Sequence, residues 1–444
     1  MPQQLAVLNV VALSGSLLKH APRISALGEV ATLTPVLPAV TCSVQSSMLT
    51  GQPVSSHGVV GNGWFNHEQQ EVQFWKQSNK LVQGDKAWDI AKRQDPSFTC
   101  LNSFWWYNMY SSVDYSITPR PQYKADGRKI PDCYTHPASL RDELQAKLGV
   151  FPLFKFWGPM AGIESTRWIA EATKHSVTKF DPTLTLVYLP HLDYGLQKLG
   201  PDHPDIPQHV KDVDDVAGDL IDFFHQRGTR VIVVSEYGIE ACIKGDGAIY
   251  VNQHLREAEL LAIRKEGPFE ELLDAGASKA FAVADHQVAH VYHDEGVELP
   301  MIPNCTAARV EHERAGRTVL VADPGYWFTY DYWEPNDSVD FSTMGVNAPD
   351  FAQCVDIHRK PGYDPRELFS EASKPAIAWK LLKKKLGFRQ LMDVVPLDTS
   401  LVRGTHGRTN NPPELQPVML GGGHDGETLP CTAVRDVMLQ AIFD

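Results

Sequence analysis

Cysteine is scarce in this sequence, and no two cysteines are closely spaced. The 444 residues include 7 cysteines, an odd number without a CxxC pair. This usage is typical of reduced thiols and argues against a disulfide framework or a zinc finger, so we expect a cytoplasmic protein. Internal repeats and low-complexity tracts are also absent, and the composition, 43% hydrophobic and 21% charged, is that of an ordinary globular protein.

Positive charge is in deficit. The chain has 41 Lys and Arg residues against 54 Asp and Glu residues, which gives a net charge of −13. Nonspecific binding to nucleic acid needs a basic surface that neutralises phosphates. We therefore expect no nucleic-acid polymer among the partners of this protein.

Long hydrophobic runs are missing as well. The opening stretch MPQQLAVLNVVALSG has no basic residue before its apolar run, and Asn9 interrupts that run. A signal peptide has a basic segment first, and a membrane span needs about 20 apolar residues. We interpret this stretch as a buried strand.

Short apolar runs are present, and three of them have the character of strands buried on both faces: Ala6–Leu13, Thr183–Leu189 and Arg230–Val234. Between the last two, Val210–Gln226 carries apolar residues at helical spacing, with acidic residues on the other face. This order of strand, helix and strand predicts an α/β fold with a mainly parallel central sheet and helices on both faces.

The middle of the chain changes character. Residues 245–395 contain short aromatic runs such as GYWFTYDYWEP, with many Pro and Gly. We predict an inserted, partly β subdomain there, between a first core segment, 1–244, and a closing core segment, 396–444. The stretch DHQVAHVYH in this region is interpreted as a strand rather than a metal site, and its histidines are His286, His290 and His293.

The stretch PVLPAVTCSVQSSMLTG, residues 35–51, places Thr41 where a helix begins after an apolar loop. Ligands of α/β sheets bind beyond the carboxyl ends of strands. A helix N-terminus offers free N–H groups and partial positive charge, which suit an anionic phosphoryl group. Thr41 is therefore either an N-cap residue or a nucleophile.

The longer stretch LPAVTCSVQSSMLTGQPVSSHGVVGN resembles the type I phosphodiesterase and nucleotide pyrophosphatase branch of the alkaline phosphatase superfamily. In that family the segment carries a nucleophilic threonine at a helix N-terminus and then an HG(I/V)xxN turn. The matching residues here are Thr41, His57-Gly58 and Asn62. The resemblance implies that Thr41 attacks phosphorus and that Asn62 holds a phosphoryl oxygen.

Three further stretches resemble the metal-binding motifs of the family, with departures. GTHGRTNN matches the closing motif through His406. YLPHLDYGLQKLGP supplies Asp193 but has Gln197 at the histidine position. VVSEYGIE has Glu236 and Tyr237 where the family has Asp and His.

The family builds two metal sites, and this chain keeps too few ligands for both. Ser14-Gly15 replaces the usual Asp-Gly after the first strand, and neutral Ser14 and Gln197 are poor ligands for a transition metal. We expect one rebuilt site for a divalent cation, zinc by resemblance, with manganese and iron as alternatives. Its candidate ligands are His191, Asp193, Glu236, His358 and His406.

Spacing brings two of these histidines into the set. His191 and Asp193 share a face if their segment is extended, and Asp356 and His358 have the same spacing in VDIHRKPGYDP. The alternative for His191 is a solvent-facing loop. The alternative for Asp356 and His358 is a structural turn.

Aromatic and basic residues cluster in FTCLNSFWWYNMYSS and the segment that follows it. Such a surface suits a flat or apolar ligand that carries an anionic group. The alternative is that the tryptophans fill a core between the sheet and the insertion. The candidate substrate-binding residues are Asn62, Trp105, Trp106, Tyr107, Arg120, Arg359 and Lys360.

These features predict a metal-dependent hydrolase of phosphate esters that acts on a small phosphorylated molecule, and they leave the oligomeric state open. The alternative is a member of the fold that binds a phosphorylated or carboxylated ligand without turning it over, or that runs a different reaction with acid–base side chains. The candidate catalytic residues are Thr41, Asn62, Glu236 and Tyr237.

Overall fold

A computed structural model describes residues 2–125, 128–243, 245, 247–265, 271–333, 360–370, 374–388 and 395–444. The strands, in chain order, are β1 Leu5–Val10, β2 Ala31–Thr34, β3 Gly63–Asn66, β4 Glu71–Phe74, β5 Cys100–Ser103, β6 Tyr115–Pro119, β7 Gln122–Tyr123, β8 Lys129–Ile130, β9 Cys133–His136, β10 Leu184–Leu189, β11 Arg230–Val234, β12 Glu240–Ala241, β13 Ala248–Ile249, β14 Ile263–Lys265, β15 Glu271–Leu273, β16 Ala280–Asp285, β17 Val288–His293, β18 Cys305–Ala308, β19 Thr318–Ala322, β20 Trp327–Phe328, β21 Gly362–Tyr363, β22 Gly404–Thr405, β23 Val418–Leu420 and β24 Thr428–Pro430. The α-helices are α1 Pro22–Ser25, α2 Thr41–Thr50, α3 Val54–His57, α4 Ala87–Gln94, α5 Ser139–Leu148, α6 Leu153–Phe156, α7 Ile163–Phe180, α8 His191–Leu199, α9 Ile206–His225, α10 Val251–Glu257, α11 Lys374–Lys385 and α12 Val434–Phe443.

Nine of the described strands form the main sheet, in the order β24-β2-β23-β11-β1-β10-β5-β6-β9. Five of its eight strand pairs are parallel, including the central pairs β1–β10 and β1–β11. Every residue of β1 and β10 is buried. Because both faces of these strands are covered, their apolar runs are continuous rather than alternating. The predicted α/β fold with a mainly parallel sheet is confirmed.

Two groups of helices pack on this sheet. Helices α7, α8 and α9 contact one another, while α2 and α4 contact α12. The helix predicted at Val210–Gln226 is α9, whose apolar positions are buried and whose acidic positions include ion-pair partners of Arg23. Among the helices of the described residues, none is long and apolar enough to cross a membrane.

A second sheet of five strands, in the order β18-β19-β17-β16-β21, lies within the region expected to be an insertion. It has a hydrophobic core of its own, which includes Phe281, Tyr292, Tyr330 and Trp333. The boundaries proposed for the insertion stay a prediction.

The turn between β16 and β17 brings the second sheet against the main one. His286 and Gln287 are its two turn residues, because Asp285 pairs with Val288. The backbone N–H of Gln287 donates to the carbonyl oxygen of His406 at 2.9 Å. Residues from both sheets therefore meet near the carboxyl ends of β1, β10 and β11.

His57 fixes the turn that follows helix α2. It is fully buried, and Gly58 after it adopts the left-handed conformation, with φ +71°. The Nδ1 atom of His57 accepts a hydrogen bond from the Val59 N–H at 3.1 Å, and its Nε2 atom lies 2.8 Å from Ser47 Oγ. Because Nδ1 accepts, the proton is on Nε2, and the imidazole is neutral. Burial lowers the pKa of His57 to about 4.

We predict that His57 makes the fold sensitive to acid. The unfolded chain binds a proton at His57 near pH 6.5, whereas the folded chain binds it near pH 4. The free energy of unfolding therefore falls as the pH drops through this window, by about 2 kcal/mol between pH 7.5 and pH 5. Urea unfolding measures the free energy of unfolding at these two pH values. The difference between the two values should be smaller in His57→Gln than in the wild type, by about 2 kcal/mol. Exposed His136→Gln is the control, and an unchanged difference in His57→Gln would refute the assignment.

Candidate active site

Thr41 is the first residue of helix α2, and its side chain is buried. The N-cap residue is Val40, with an extended backbone, so the interpretation of Thr41 as the helix N-cap is wrong. The Thr41 hydroxyl instead lies 3.1 Å from the hydroxyl of Tyr237. The side chain is directed toward polar groups at the end of β11 rather than toward the backbone of its own helix.

Asn62 lies beside the start of the same helix. Its Oδ1 atom accepts from the Cys42 N–H at 3.0 Å. Its own backbone N–H and Nδ2 donate to the two carboxylate oxygens of Asp285, at 3.0 Å and 3.1 Å. Asn62 thus joins helix α2 to the β16–β17 turn, and its role in holding a phosphoryl oxygen stays a prediction.

Glu236 follows β11 and is fully buried. The side-chain amides of Asn9 and Gln45 donate to its Oε1 atom at 2.5 Å and 2.6 Å, while Oε2 has no hydrogen-bond partner among the described residues. Burial raises the pKa of Glu236 to about 8, although the nearby side chains of Gln45, Asn9 and Thr41 act in the opposite direction. Glu236 is thus held in place at one oxygen, with the other oxygen unpartnered.

Sequence reasoning missed Asn9 and Gln45 and placed the relevant position of the first strand at Ser14. Ser14 forms a bridge with Pro417 instead, and its hydroxyl contacts Ser16. A polar Asn inside the apolar run LAVLNV was the available signal for Asn9. For Gln45 the signal was its place one helical turn after Thr41.

Asp193 lies at the centre of a second group of contacts. It accepts from Gln197 Nε2 at 2.8 Å and from the Tyr237 hydroxyl at 3.4 Å, and its Oδ1 atom is 4.0 Å from His406 Nε2. Burial raises the pKa of Asp193 to about 6 and that of the Tyr237 phenol well above its usual value. The structure therefore brings Thr41, Tyr237, Asp193 and His406 together.

His406 is buried and neutral. Burial lowers its pKa well below the usual value, and its Nδ1 atom lies 2.9 Å from the carbonyl oxygen of Ala39. Its ring stacks on Tyr237, with a centroid distance of 3.7 Å. The centroid of the His286 ring lies 3.9 Å from the centroid of the His406 ring. The interpretation of His286 as a mere strand residue was wrong, because it occupies the hairpin turn that reaches this site.

The shared face predicted for His191 and Asp193 is also wrong. The segment is helix α8 rather than a strand, and residues two apart in a helix point in different directions. His191 Nε2 lies 3.2 Å from His209 Nδ1, and the two rings stack. Asp193 contacts Gln197 and Tyr237 instead.

The remaining candidates are placed as follows. His358 and Arg359 lie outside the described residues. Lys360 forms an ion pair with Glu367 at 2.5 Å, and Arg120 is exposed at the end of β6. Trp105 is fully buried in the main core and Tyr107 is buried beside Cys42 in a smaller one, so neither presents a ring to solvent.

Trp106 differs from its neighbours because it is only partly buried. Its ring lies 5.0 Å from that of Trp75, which in turn lies 6.2 Å from that of Tyr363. Tyr363 approaches His286 to 4.6 Å. We call Trp75, Trp106 and Tyr363 the aromatic strip, and it runs directly up to the group of site histidines.

The residues at the site fit a cation by their charge. Asp193, Glu236 and Asp285 are buried, and none of the described hydrogen bonds or ion pairs joins a Lys or Arg to them. Buried carboxylates without a positive partner are costly, and a metal ion supplies one. Within the described ranges, no three His, Cys, Asp or Glu side chains already converge as metal ligands. The atoms that could ligate a metal ion therefore lie near one another at this site, but they do not yet converge on a common point.

Comparison with known proteins identifies a family. The sequence profile of the type I phosphodiesterase / nucleotide pyrophosphatase family matches residues 5–364. An uncharacterized pyrophosphatase/phosphodiesterase of Schizosaccharomyces pombe is 25% identical over 217 residues, which cover 47% of this chain and 37% of that protein. The chain thus aligns with little more than a third of this relative. His406 lies beyond the profile match, so its assignment depends on its position in the structure.

Solved structures of similar fold include ectonucleotide pyrophosphatase / phosphodiesterase 5. The murine protein, as an inactive threonine-to-alanine variant in complex with AMP, superposes with a TM-score of 0.57 and 15% identity, over 99% of this chain and 94% of that one. The human protein gives a TM-score of 0.56 and 14% identity over the same shares. These similarities establish the fold.

We predict that Asp285 is a structural link between the two sheets. In Asp285→Ala, the backbone N–H and Nδ2 of Asn62 and the ring of His286 lose their acceptor in a buried place. Unpaired buried donors cost about 1–3 kcal/mol each, so the free energy of unfolding should fall by ~3 kcal/mol or more. Asp285→Asn keeps one acceptor oxygen, so its free energy of unfolding should fall by less. Exposed Asp294→Ala is the control. Urea unfolding measures all three, and a loss in Asp285→Ala no larger than that of the control would contradict the link.

Proposed function

Because the chain belongs to the type I phosphodiesterase / nucleotide pyrophosphatase family, we propose that it hydrolyses phosphodiester or pyrophosphate bonds of small molecules, with Thr41 as the nucleophile. One observation carries this proposal. The buried hydroxyl of Thr41 stands at the start of helix α2, near Glu236, and contacts Tyr237, which itself contacts Asp193 and stacks on His406. A hydroxyl placed among buried ionisable groups is arranged as an activated nucleophile requires.

The proposed reaction has two displacements. Thr41 Oγ1 forms a bond to phosphorus while the bond from phosphorus to the leaving oxygen breaks, and the electron pair departs with that oxygen. The hydroxyl proton of Thr41 passes to Glu236 Oε2, the oxygen that Asn9 and Gln45 leave unpartnered. Glu236 gives that proton to the departed oxygen, which restores its carboxylate. Water then attacks the same phosphorus, gives one proton to the Thr41 oxygen as it leaves, and yields the phosphorylated product.

Other groups of the site position the substrate and stabilise the charge on its phosphoryl oxygens. The N-terminus of α2 presents N–H groups and partial positive charge to the phosphoryl oxygens. Tyr237 stays protonated because burial raises its pKa, so its hydroxyl donates a hydrogen bond. Asn62, anchored by Asp285, holds the edge of this anion site.

We propose that Asp193 and His406 hold one divalent cation at the site. Such a cation polarises a phosphoryl oxygen and neutralises developing charge. Asp193 supplies a carboxylate, which Gln197 orients through a hydrogen bond of 2.8 Å. His406 supplies its Nε2 atom, which is buried and has no hydrogen-bond partner in the described part of the chain. A mixed nitrogen and oxygen set suits zinc, manganese or iron.

The proposed substrate carries a flat aromatic group next to the scissile phosphate, as a nucleotide does. The aromatic strip supplies the partly exposed rings of Trp75 and Trp106, and buried Tyr363 connects them to His286. The murine neighbour in complex with AMP supports a nucleotide. The cytoplasmic location inferred from the cysteines stays a prediction.

We predict that Thr41→Ala abolishes hydrolysis. The p-nitrophenyl ester of thymidine 5′-monophosphate, assayed with zinc, manganese or iron, releases a coloured product that reports kcat directly. Loss of a nucleophile should lower kcat by more than about 10³-fold. Thr50→Ala is the matched control, because Thr50 lies on the same buried helix but bonds only its backbone.

Two results would overturn the proposal. Hydrolysis retained in Thr41→Ala would remove Thr41 from the reaction. Tight binding of the ester by the wild-type protein, without turnover under any of these metals, would favour the alternative of a binding protein. Circular dichroism and the unfolding midpoint establish that each variant folds.

We predict that Trp106→Ala raises KM for the substrate and changes kcat little. Stacking of one base on an aromatic ring is worth about 1–2 kcal/mol, so KM for the thymidine ester should rise about 5- to 30-fold, with kcat nearly unchanged. The backbone N–H of Trp106 that holds Gln45 is retained in this variant. Methyl p-nitrophenyl phosphate, which lacks the base, should show no such rise. Exposed Trp379→Ala is the control, and equal effects on both substrates would argue against stacking.

A further inference from the structure

His286 and His406 lie side by side among the buried side chains of the site. Among the described residues, each has an Nε2 atom that is shielded from solvent and has no hydrogen-bond partner. The two rings lie 3.9 Å apart, and both residues are at least 97% buried. A buried ring nitrogen without a partner costs free energy unless something binds it.

The opposite ring nitrogens fix which atom carries the proton. His406 Nδ1 lies 2.9 Å from the Ala39 carbonyl oxygen, which only accepts, so Nδ1 of His406 carries the proton. His286 Nδ1 lies 2.9 Å from Asp285 Oδ1, which fixes its proton in the same way. In the neutral form of each ring, the Nε2 atom presents a lone pair. A carboxylate or carbonyl behind the far nitrogen is the usual support of a histidine that ligates a metal.

Backbone strain at the hairpin turn supports the same conclusion. His286 has φ +57°, in the left-handed region that costs about 1 kcal/mol or more for a residue with a side chain. The turn is held there by the Gln287 N–H on His406 and by the Phe328 N–H on the His286 carbonyl oxygen. Strain that persists where glycine would be relaxed points to a requirement for the imidazole itself.

Asp193 completes the constellation. Its Oδ1 atom lies 4.0 Å from His406 Nε2. Ligands of a tetrahedral zinc ion lie about 3.4 Å apart, as bond lengths near 2.1 Å dictate. Side-chain shifts of under about 1 Å therefore close the observed gap between Asp193 and His406.

We propose that His286 is the third protein ligand, with Asp193 and His406, of the single divalent cation. It replaces the histidine that the family places at position 197, where this chain has Gln197. The amide of Gln197 donates to Asp193 and so acts as an orienting group. This inference rests on the proposed function, because it concerns the same cation.

The test is zinc binding by the full-length protein after removal of metal with a chelator. Titration calorimetry gives the affinity for zinc alone, and elemental analysis gives the stoichiometry. We expect one zinc ion per wild-type chain, and a dissociation constant raised more than about 100-fold in His286→Gln. The visible spectrum of the cobalt-loaded protein reports the ligand field and should change in the same variant.

The matched control is His290→Gln. His290 lies on the same hairpin and is equally buried, but both of its ring nitrogens have partners, the Val60 carbonyl oxygen and the Gly316 N–H. Zinc affinity should stay close to that of the wild type. Where His286→Gln fails to fold, His286→Gly serves, since glycine accepts φ +57° without strain. Added free imidazole should then restore zinc binding.

The outcomes distinguish a failure of His286 as a ligand from a failure of the proposed function. Zinc affinity lost in Asp193→Asn but retained in both His286 variants would overturn the ligand role of His286 and leave the cation of the proposed function standing. A wild-type chain that binds no zinc, manganese or iron would overturn both. Thr41-dependent hydrolysis without any metal would then identify a metal-free enzyme.

Discussion

Three buried carboxyl groups with no described Lys or Arg partner impose the main constraint on this molecule. Asp193, Glu236 and Asp285 are held by amides instead: Gln197, the pair Asn9 and Gln45, and Asn62. Amide donors offset part of the desolvation cost of a carboxylate but add no positive charge. The high pKa values of Asp193 and Glu236 express what remains of that cost, and a bound cation would remove it.

The same constraint ties the two sheets together. Asp285 and His286 come from the second sheet, whereas Asn62, His406 and Asp193 come from segments around the main one. If His286 ligates the cation, the proposed site is complete only where the β16–β17 turn packs against the His406 backbone. A change that loosens Asp285 would then act both on this packing and on the proposed site.

Much of the fold was predictable from the sequence, because strands buried on both faces leave continuous apolar runs. Thr41 was found at a predicted helix start and through the family resemblance, and Asp193 was found just after a predicted strand and through the same resemblance. His286 was not, because the two residues of a hairpin turn leave no periodic signal that shows what the turn contacts. His191 was misplaced, because the segment after β10 continues as helix α8 rather than in extended form.

Neutral amides surround the carboxyl groups of this site. Two metal ions need more carboxylates and histidines than the resemblance leaves to this chain, and the amides of Asn9, Gln45 and Gln197 contact carboxylates without adding a charge. If one cation serves the proposed reaction, part of the electrostatic support for phosphoryl transfer has to come from elsewhere. The N-terminus of helix α2 and the protonated hydroxyl of Tyr237 are the groups placed to supply it. Departing charge on the leaving oxygen would then be less well stabilised, which favours substrates whose leaving group is itself a weak base, such as a phosphate or a phenol.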